Sequence, residues 1–291
     1  MSNSPIRAFD WTGPAMLDAA ALRQTMATDG ALVMRGLLSP DEIRQLREDV
    51  RARLLSRGRR LSLGKTQPNA ALENPELAWA VAHPNIVQVF KALIDQPLFT
   101  GHCDIHMNML SGWHKDSGEL YGGYFSGDYF HAGECQVYKA AIYLQKAGRR
   151  DGLTVKPGSH RTETHAGESC KIMNEIGDVV FFDVRISHTG QLPDLVESGL
   201  KAAGKIATRG SRIQQEPAWL FGAKEAYWKA IGRRDRLSMF FTYGAANRFT
   251  VEFAEANMDR QTRQAGADKH VYPPVLIEQL AQSGVSAAPL G

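Results

Sequence analysis

The chain has 291 residues, of which 43% are hydrophobic and 22% charged, with a net charge of +3. That is enough apolar chain for a full core, and the basic runs Arg57-Gly58-Arg59-Arg60, Arg149-Arg150 and Arg233-Arg234 are too short to track phosphates, which argues against a nucleic-acid partner. Cys103, Cys135 and Cys170 are odd in number and irregularly spaced, so reduced thiols used for packing are expected. With no basic patch and apolar run after Met1, and no stretch near the roughly 18 apolar residues a span needs, the expectation is a soluble, cytoplasmic chain with no membrane partner.

In chain order, Pro14 to Asp29 has near-helical apolar spacing, with Gly30 placed to end it. Ala31 to Met34 reads as a strand. Ser39-Pro40-Asp41-Glu42 is a helix start, with Ser39 as N-cap, Pro40 in the first turn and Glu42 completing a capping box. That helix should run to about Leu55, burying Ile43, Leu46, Val50 and Leu54. Asn74 to Ala82 and Pro84 to Ile94 read as shorter helices. The β-branched and aromatic runs Leu98–Leu110, Gln136–Leu144, Leu153–Lys156, Val179–Val184 and Leu237–Tyr243 read as strands. Pro217 to Ile231 reads as a helix with an apolar stripe of Trp219, Leu220, Tyr227 and Trp228, fit for core or dimer contact. The resulting class is α+β, with helices before and after an antiparallel jelly-roll core. One domain over 1–291 is expected: a helical support over 14–96, a β core over about 98–243 with insertions at 117–134 and 191–234, and a helical segment over 250–291.

The chemistry lies in three residues. His114 and Asp116 are two apart, so on extended chain they point the same way, and His188 follows the buried-strand run that Gly177-Asp178 opens. Two imidazoles and one carboxylate with the opposite positions open form the facial ligand set of non-haem Fe(II) oxygenases. Between the two halves, a short apolar strand runs into the Pro157-Gly158-Ser159-His160 turn.

The ordered set of His-x-Asp, Pro-Gly-Ser-His turn and Gly-Asp-Val-Val-x-Phe strand with its distal histidine resembles the phytanoyl-CoA dioxygenase-like branch of the Fe(II)/2-oxoglutarate-dependent oxygenases, from about Gly30 to Tyr243. The resemblance implies a double-stranded β-helix (jelly-roll, cupin-like), with Fe(II) held by His114, Asp116 and His188, and 2-oxoglutarate and O2 as cosubstrates. It implies oxidation of a C–H bond, with hydroxylation foremost and release of succinate and CO2. Halogenases of the superfamily replace the carboxylate with Gly or Ala, so Asp116 argues for hydroxylation, desaturation or cyclisation. In the family an arginine on the strand after the distal histidine holds the far carboxylate of 2-oxoglutarate, which suits its planar, permanently charged fork. Here the offset is longer. Arg236 is the choice, with Ser238 beside it, and Arg248, Arg233 and Arg185 compete. Tyr138 matches the family's aromatic residue near 2-oxoglutarate, and Lys65 is a weaker match to an N-terminal basic one.

Substrate contacts are expected from the glycine- and ring-rich segment 120–133, which reads either as a loop packed on the barrel or as a lid. Tyr121, Tyr124, Tyr129 and Phe130 are its contacts, with Lys115 and Arg185 near the mouth and Lys139 beside them. These suit a mid-sized, partly polar small molecule such as a secondary metabolite, bound by a monomer or homodimer. His102 and His106 share a strand face and read as supporting or solvent-exposed groups rather than ligands. His160 reads as structural, while His131 and His165 lie in loops within reach of substrate. Two rivals remain: a metal-dependent cupin-type enzyme without 2-oxoglutarate (a dioxygenase or isomerase), and a non-catalytic small-molecule-binding protein.

Overall fold

The structure is a computed structural model, and it describes residues 6–118, 123–148, 152–209, 215–265 and 271–290. The strands are β1 (Ala8–Asp10), β2 (Ala31–Arg35), β3 (Arg59–Leu61), β4 (Gly64–Gln67), β5 (Leu98–Met107), β6 (Val137–Tyr143), β7 (Thr154–Val155), β8 (Cys170–Lys171), β9 (Val179–Asp183), β10 (His188–Thr189), β11 (Leu237–Gly244) and β12 (Ser286–Ala287). The helices are α1 (Ala19–Asp29), α2 (Pro40–Arg57), α3 (Ala70–Glu73), α4 (Ala78–Val81), α5 (Pro84–Leu93), α6 (Leu195–Ala207), α7 (Ala218–Ala230), α8 (Arg248–Ala265) and α9 (Pro274–Gln282).

Among the described residues, nine strands form one mostly antiparallel sheet in the order β1-β2-β9-β6-β11-β5-β4-β3, with β12 joined to β5. A three-stranded sheet, β10-β7-β8, accompanies it. The class is therefore α+β with a jelly-roll core. No helix among the described residues is long and apolar enough to cross a membrane.

Strand alternation gives the large sheet two unlike faces. One face presents Phe99, Ile105, Met107, Tyr138, Ile142, Phe181, Phe241 and Tyr243, packed with Leu22 and Met26 of α1, Leu46 and Val50 of α2 and Phe90 of α5 in one core. Burying each such side chain contributes about 1.5–3 kcal/mol. The Phe90 and Phe181 rings meet edge to face at 5.1 Å. The other face turns Lys139, Tyr143, Ser238, Phe240 and alternate β5 side chains toward a cavity.

Local chemistry sets the helix ends. Ser39 accepts from the Glu42 amide and the Glu42 carboxylate from the Ser39 amide, the expected capping box, and Ile43, Leu46, Val50 and Leu54 are buried. The first predicted helix starts later than read, because Asp18 caps α1 after a short 3-10 turn. Gly30 ends it in the left-handed region (φ 74°), where the His160 ring packs so closely that a Cβ would stand 2.4 Å from Nδ1.

Several elements have no counterpart in the sequence expectations, the β3–β4 hairpin and helix α6 among them. The β3–β4 hairpin turns through Ser62 and Leu63, both with positive φ (49° and 58°), without the Asn-Gly or Asp-Gly that normally marks such a turn. Helix α6 fills the first part of the 191–234 insertion and is capped by Asp194 and Glu197 in a second capping box. Fully buried Glu197 accepts from Trp228 Nε1 (2.7 Å) and Arg233 Nη1 (2.6 Å), which ties α6 to α7. Of the predicted α7 stripe, Leu220 and Trp228 are buried but Trp219 is 60% exposed. The three cysteines are buried free thiols.

Candidate functional site

His114 lies just past the loop that leaves β5, and His188 opens β10. The two form an isolated antiparallel bridge, with His114 N donating to His188 O (3.0 Å) and His188 N donating to His114 O (2.9 Å). Backbone pairing thus places two histidines 74 positions apart side by side, their rings 4.3 Å between centroids. One ligand atom from each of His114, Asp116 and His188 falls within 4.8 Å of the others.

The imidazoles are oriented for coordination. His114 Nδ1 donates to Gly112 O (2.8 Å) and His188 Nδ1 to Ile186 O (3.0 Å). A carbonyl can only accept, so the proton sits on Nδ1 and the Nε2 lone pair is left for a metal. His188 Nε2 lies 3.3 Å from Asp116 Oδ2 and His114 Nε2 3.8 Å from Asp116 Oδ1. Burial, then the neighbouring His188 ring, pushes the His114 pKa down to about 4, so that ring is neutral and able to ligate near pH 7. Burial alone would raise the Asp116 carboxyl. The Lys139 ammonium, which donates to Oδ2 at 2.6 Å, and the His188 ring outweigh it and hold the pKa well below the usual range.

These residues open into a cavity of about 290 Å³. Strand registers order its sheet wall. Tyr143, Ser238 and His106 stand in one row, Ala141, Phe240 and Asp104 in the next, and Lys139 and Thr242 in a third, where Thr242 Oγ1 meets His102 Nδ1 at 2.9 Å. Arg236 precedes the first row and also lines the cavity, its guanidinium donating to Met109 O. Tyr143 is buried with its hydroxyl unpartnered among the described residues, and burial raises its pKa.

Of the four arginines weighed from sequence, Arg236 is the one that lines the cavity. Arg233 pairs with Glu197, Arg248 with Glu252, and Arg185 with Asp183 through two nitrogens (2.9 and 2.6 Å). Arg185 also donates to Tyr129 O (2.7 Å), so it anchors the aromatic loop instead of facing substrate. Tyr138 is a correction. Its side chain enters the helix-covered core, because it is one residue out of phase with Lys139 and Tyr143, which do reach the cavity.

Lys115 lines the cavity, but its ammonium donates to Ser159 O (2.6 Å) and Arg185 O (2.7 Å) and lies over the Phe130 ring. Tyr124 lines the cavity. Tyr129 and Phe130 stack on each other 4.4 Å apart and do not line it, and Tyr121 lies outside the described residues. The described rings of this segment therefore pack largely on the protein, with Phe125 against Phe249 and Phe253 of α8. His131 pairs with exposed Asp128, His165 with Ser187, and Lys65 donates to Leu55 O; none of the three lines the cavity. His102 and His106 do line it, together with Asp104, Asn257 and Gln261, residues whose joint role the sequence reading missed.

The sequence model of the phytanoyl-CoA dioxygenase (PhyH) family matches residues 26–191. The chain belongs to that family. Its members use Fe(II), 2-oxoglutarate and O2, and the His114, Asp116 and His188 cluster stands in the family's fold among the residues that line the cavity. Similar solved structures include the non-haem α-ketoglutarate-dependent epimerase SnoN from nogalamycin biosynthesis, with 18% identity and a TM-score of 0.54 over 80% of this chain and 84% of that one. The carbocyclase SnoK from the same biosynthesis has 17% identity and a TM-score of 0.55 over 81% and 87%. A second SnoN structure holds Fe3+, α-ketoglutarate and nogalamycin RO. These likenesses show the fold. No curated protein matches the chain.

Proposed function

We propose that this PhyH-family enzyme is an Fe(II)/2-oxoglutarate-dependent dioxygenase that oxidises, foremost by hydroxylation, a C–H bond of a small-molecule metabolite, releasing succinate and CO2. The observation that carries the reading is that His114 Nε2 and His188 Nε2 both face the Asp116 carboxylate, at 3.8 and 3.3 Å, in the lining of a cavity that also holds a buried arginine. The donor set fits iron: two imidazoles whose Nε2 atoms face Asp116, and one ionised carboxylate. The far wall fits a carboxylate, with the Arg236 guanidinium, the Ser238 hydroxyl and the unpartnered Tyr143 hydroxyl adjacent across β6 and β11.

Bound there, iron with 2-oxoglutarate supplies the activation of O2. The protein's part is positional. Gly112 O and Ile186 O hold the two rings in the ligating tautomer, and Lys139 fixes the Asp116 carboxylate. Arg236 and Ser238 receive the distal carboxylate of the cosubstrate, while the buried Phe182 ring packs against the His188 ring, 4.9 Å between centroids, and supports it.

Anaerobic titration of the apo protein with Fe(II) and 2-oxoglutarate tests the reading through the charge-transfer band in the visible range. The band should form in the wild type, vanish in His188→Ala and weaken in Arg236→Met. Competent Fe(II) binding without any band would remove 2-oxoglutarate and favour a cupin-type enzyme.

A further inference from the structure

The wall of the cavity made by β5 and α8 is polar where a structural role would make it apolar. Phe253, Asn257 and Gln261 are four residues apart and share one face of α8. The stripe is apolar at Phe249 and Phe253, which pack in a buried cluster, and turns polar at Asn257 and Gln261, which line the cavity. Asn257 is 1% exposed. Its Oδ1 accepts from Arg260 Nη2 (2.8 Å), and since a guanidinium only donates, this fixes the amide orientation. The Asn257 Nδ2 donor has no partner among the described residues. A buried donor without a partner is costly, so this one is built for a ligand.

Across from it, Asp104 accepts from the Asn69 amide (3.1 Å) and, at longer range, from Gln261 Nε2 (3.3 and 3.4 Å), with His102 Nε2 at 3.4 Å, so its roughly four acceptor sites are not all filled by short bonds. Its side chain keeps 14% exposure, which leaves capacity to accept from a ligand. Burial alone would raise the Asp104 carboxyl, but His102, by charge and hydrogen bond, and then His106 and Arg260 hold it below the usual range. The Tyr124 and Phe253 rings, 5.6 Å apart and edge to face, complete the wall. Donor, acceptor and aromatic face occur together, an arrangement that recognises a ring bearing hydroxyls on one edge and C–H bonds on a face. An amine is disfavoured, because five lining residues are Lys or Arg against the two carboxylates Asp104 and Asp116.

We propose that this wall is the substrate-recognition face of the cavity, and that it takes a neutral, hydroxyl-rich ring, a sugar or cyclic polyol unit, which donates to Asp104, accepts from Asn257 Nδ2 and lies on Tyr124 and Phe253. The proposal rests on the iron-site reading for its link to catalysis. Asp104 stands two strands from Ala141 of β6 in one register row, roughly 10 Å at the usual strand spacing. Lys139, two residues before Ala141, touches Asp116, so a recognised ring sits within one ring's reach of the metal ligands.

The test is calorimetric titration, under anaerobic conditions, of the Fe(II)- and 2-oxoglutarate-loaded enzyme with phenyl hexosides of the gluco, galacto and manno series and with their mono-deoxy counterparts. The charge-transfer band is recorded in the same samples. At least one hexoside should bind tenfold or more tighter than one of its deoxy forms, because a missing hydroxyl leaves a buried protein group unpaired. Asn257→Leu and Asp104→Asn should erase that difference and leave the band unchanged. Asn257→Leu alone carries the test if Asp104→Asn does not fold, since its Nδ2 has no partner to lose and its Oδ1 gives up only the bond from Arg260. Hexosides that bind no better than their deoxy forms, or discrimination that survives both substitutions, overturn the proposal while an intact band keeps the iron reading. Discrimination without any band overturns the iron reading and keeps the wall as a sugar-binding face.

Discussion

The two faces of the large sheet come from the same strands and have opposite chemistry. On β11, Leu237, Met239, Phe241 and Tyr243 enter the helix-covered core, while Ser238 and Phe240, with Arg236 just before the strand, line the cavity. On β6 the split is Tyr138, Ala140 and Ile142 against Lys139 and Tyr143. The covered face supplies the apolar burial that stabilises the fold, and the cavity face carries the charges and hydroxyls of the site. A strand residue's role here is therefore set by its parity, and substitutions on the two faces should separate stability from function.

The sharpest break of that comparison is Asp116→Ala. It should abolish turnover and the charge-transfer band, and it should also lower the melting temperature, because the buried Lys139 ammonium loses its partner. Adding Lys139→Met should restore thermal stability without restoring activity. A recovered melting temperature together with recovered activity would defeat the metal-ligand assignment.

On the covered face, Phe241→Ala should cost about 3–5 kcal/mol by denaturant unfolding, with the band intact at low temperature where the variant remains folded. A smaller effect is expected from Arg236→Met on the cavity face. Loss of a charge-assisted pair, about 1.5–3 kcal/mol, predicts a rise of roughly ten- to a hundredfold in the KM for 2-oxoglutarate, and kinetics with saturating iron reads it.

The cavity face should also answer to pH. His106 is pushed down to about 4 by burial, against a raising influence of Asp104, and His114 also to about 4. An unfolded chain with ordinary histidines binds more protons at these two positions than the folded one between about 4 and 6.5, so their contribution to stability falls as pH drops through that window and is level above it. Urea unfolding of the apo protein at pH 7 and pH 5 should show the loss, and His106→Gln should reduce it. Last, Trp219→Ala on exposed α7 should change stability by less than about 0.5 kcal/mol. A larger loss would reveal that Trp219 is covered in solution, as the sequence reading of a dimer contact requires.

Legibility followed the range of the interactions. The Ser39 cap and the α2 stripe were readable because a cap is settled within four residues. Helix α6 carried the same signal in Asp194 and Glu197 and was passed over inside a segment read as an insertion. Tyr138 was placed by type and neighbourhood, but parity on β6 gives the cavity to Lys139 and Tyr143. Arg236 was chosen among four arginines, and only the ion pairs of Arg185, Arg233 and Arg248 show why the others are committed elsewhere.

By itself the sequence determined the candidates: two histidines and an aspartate that the fold brings together, an arginine just before the last core strand, and alternating runs that present unlike faces. These are properties of residue type and short-range periodicity. The tertiary structure decided what each cavity residue stands opposite. That α8 brings Asn257 and Gln261 against Asp104, some 150 positions earlier, depends on how a helix packs across a sheet, and no local pattern in the chain encodes that packing.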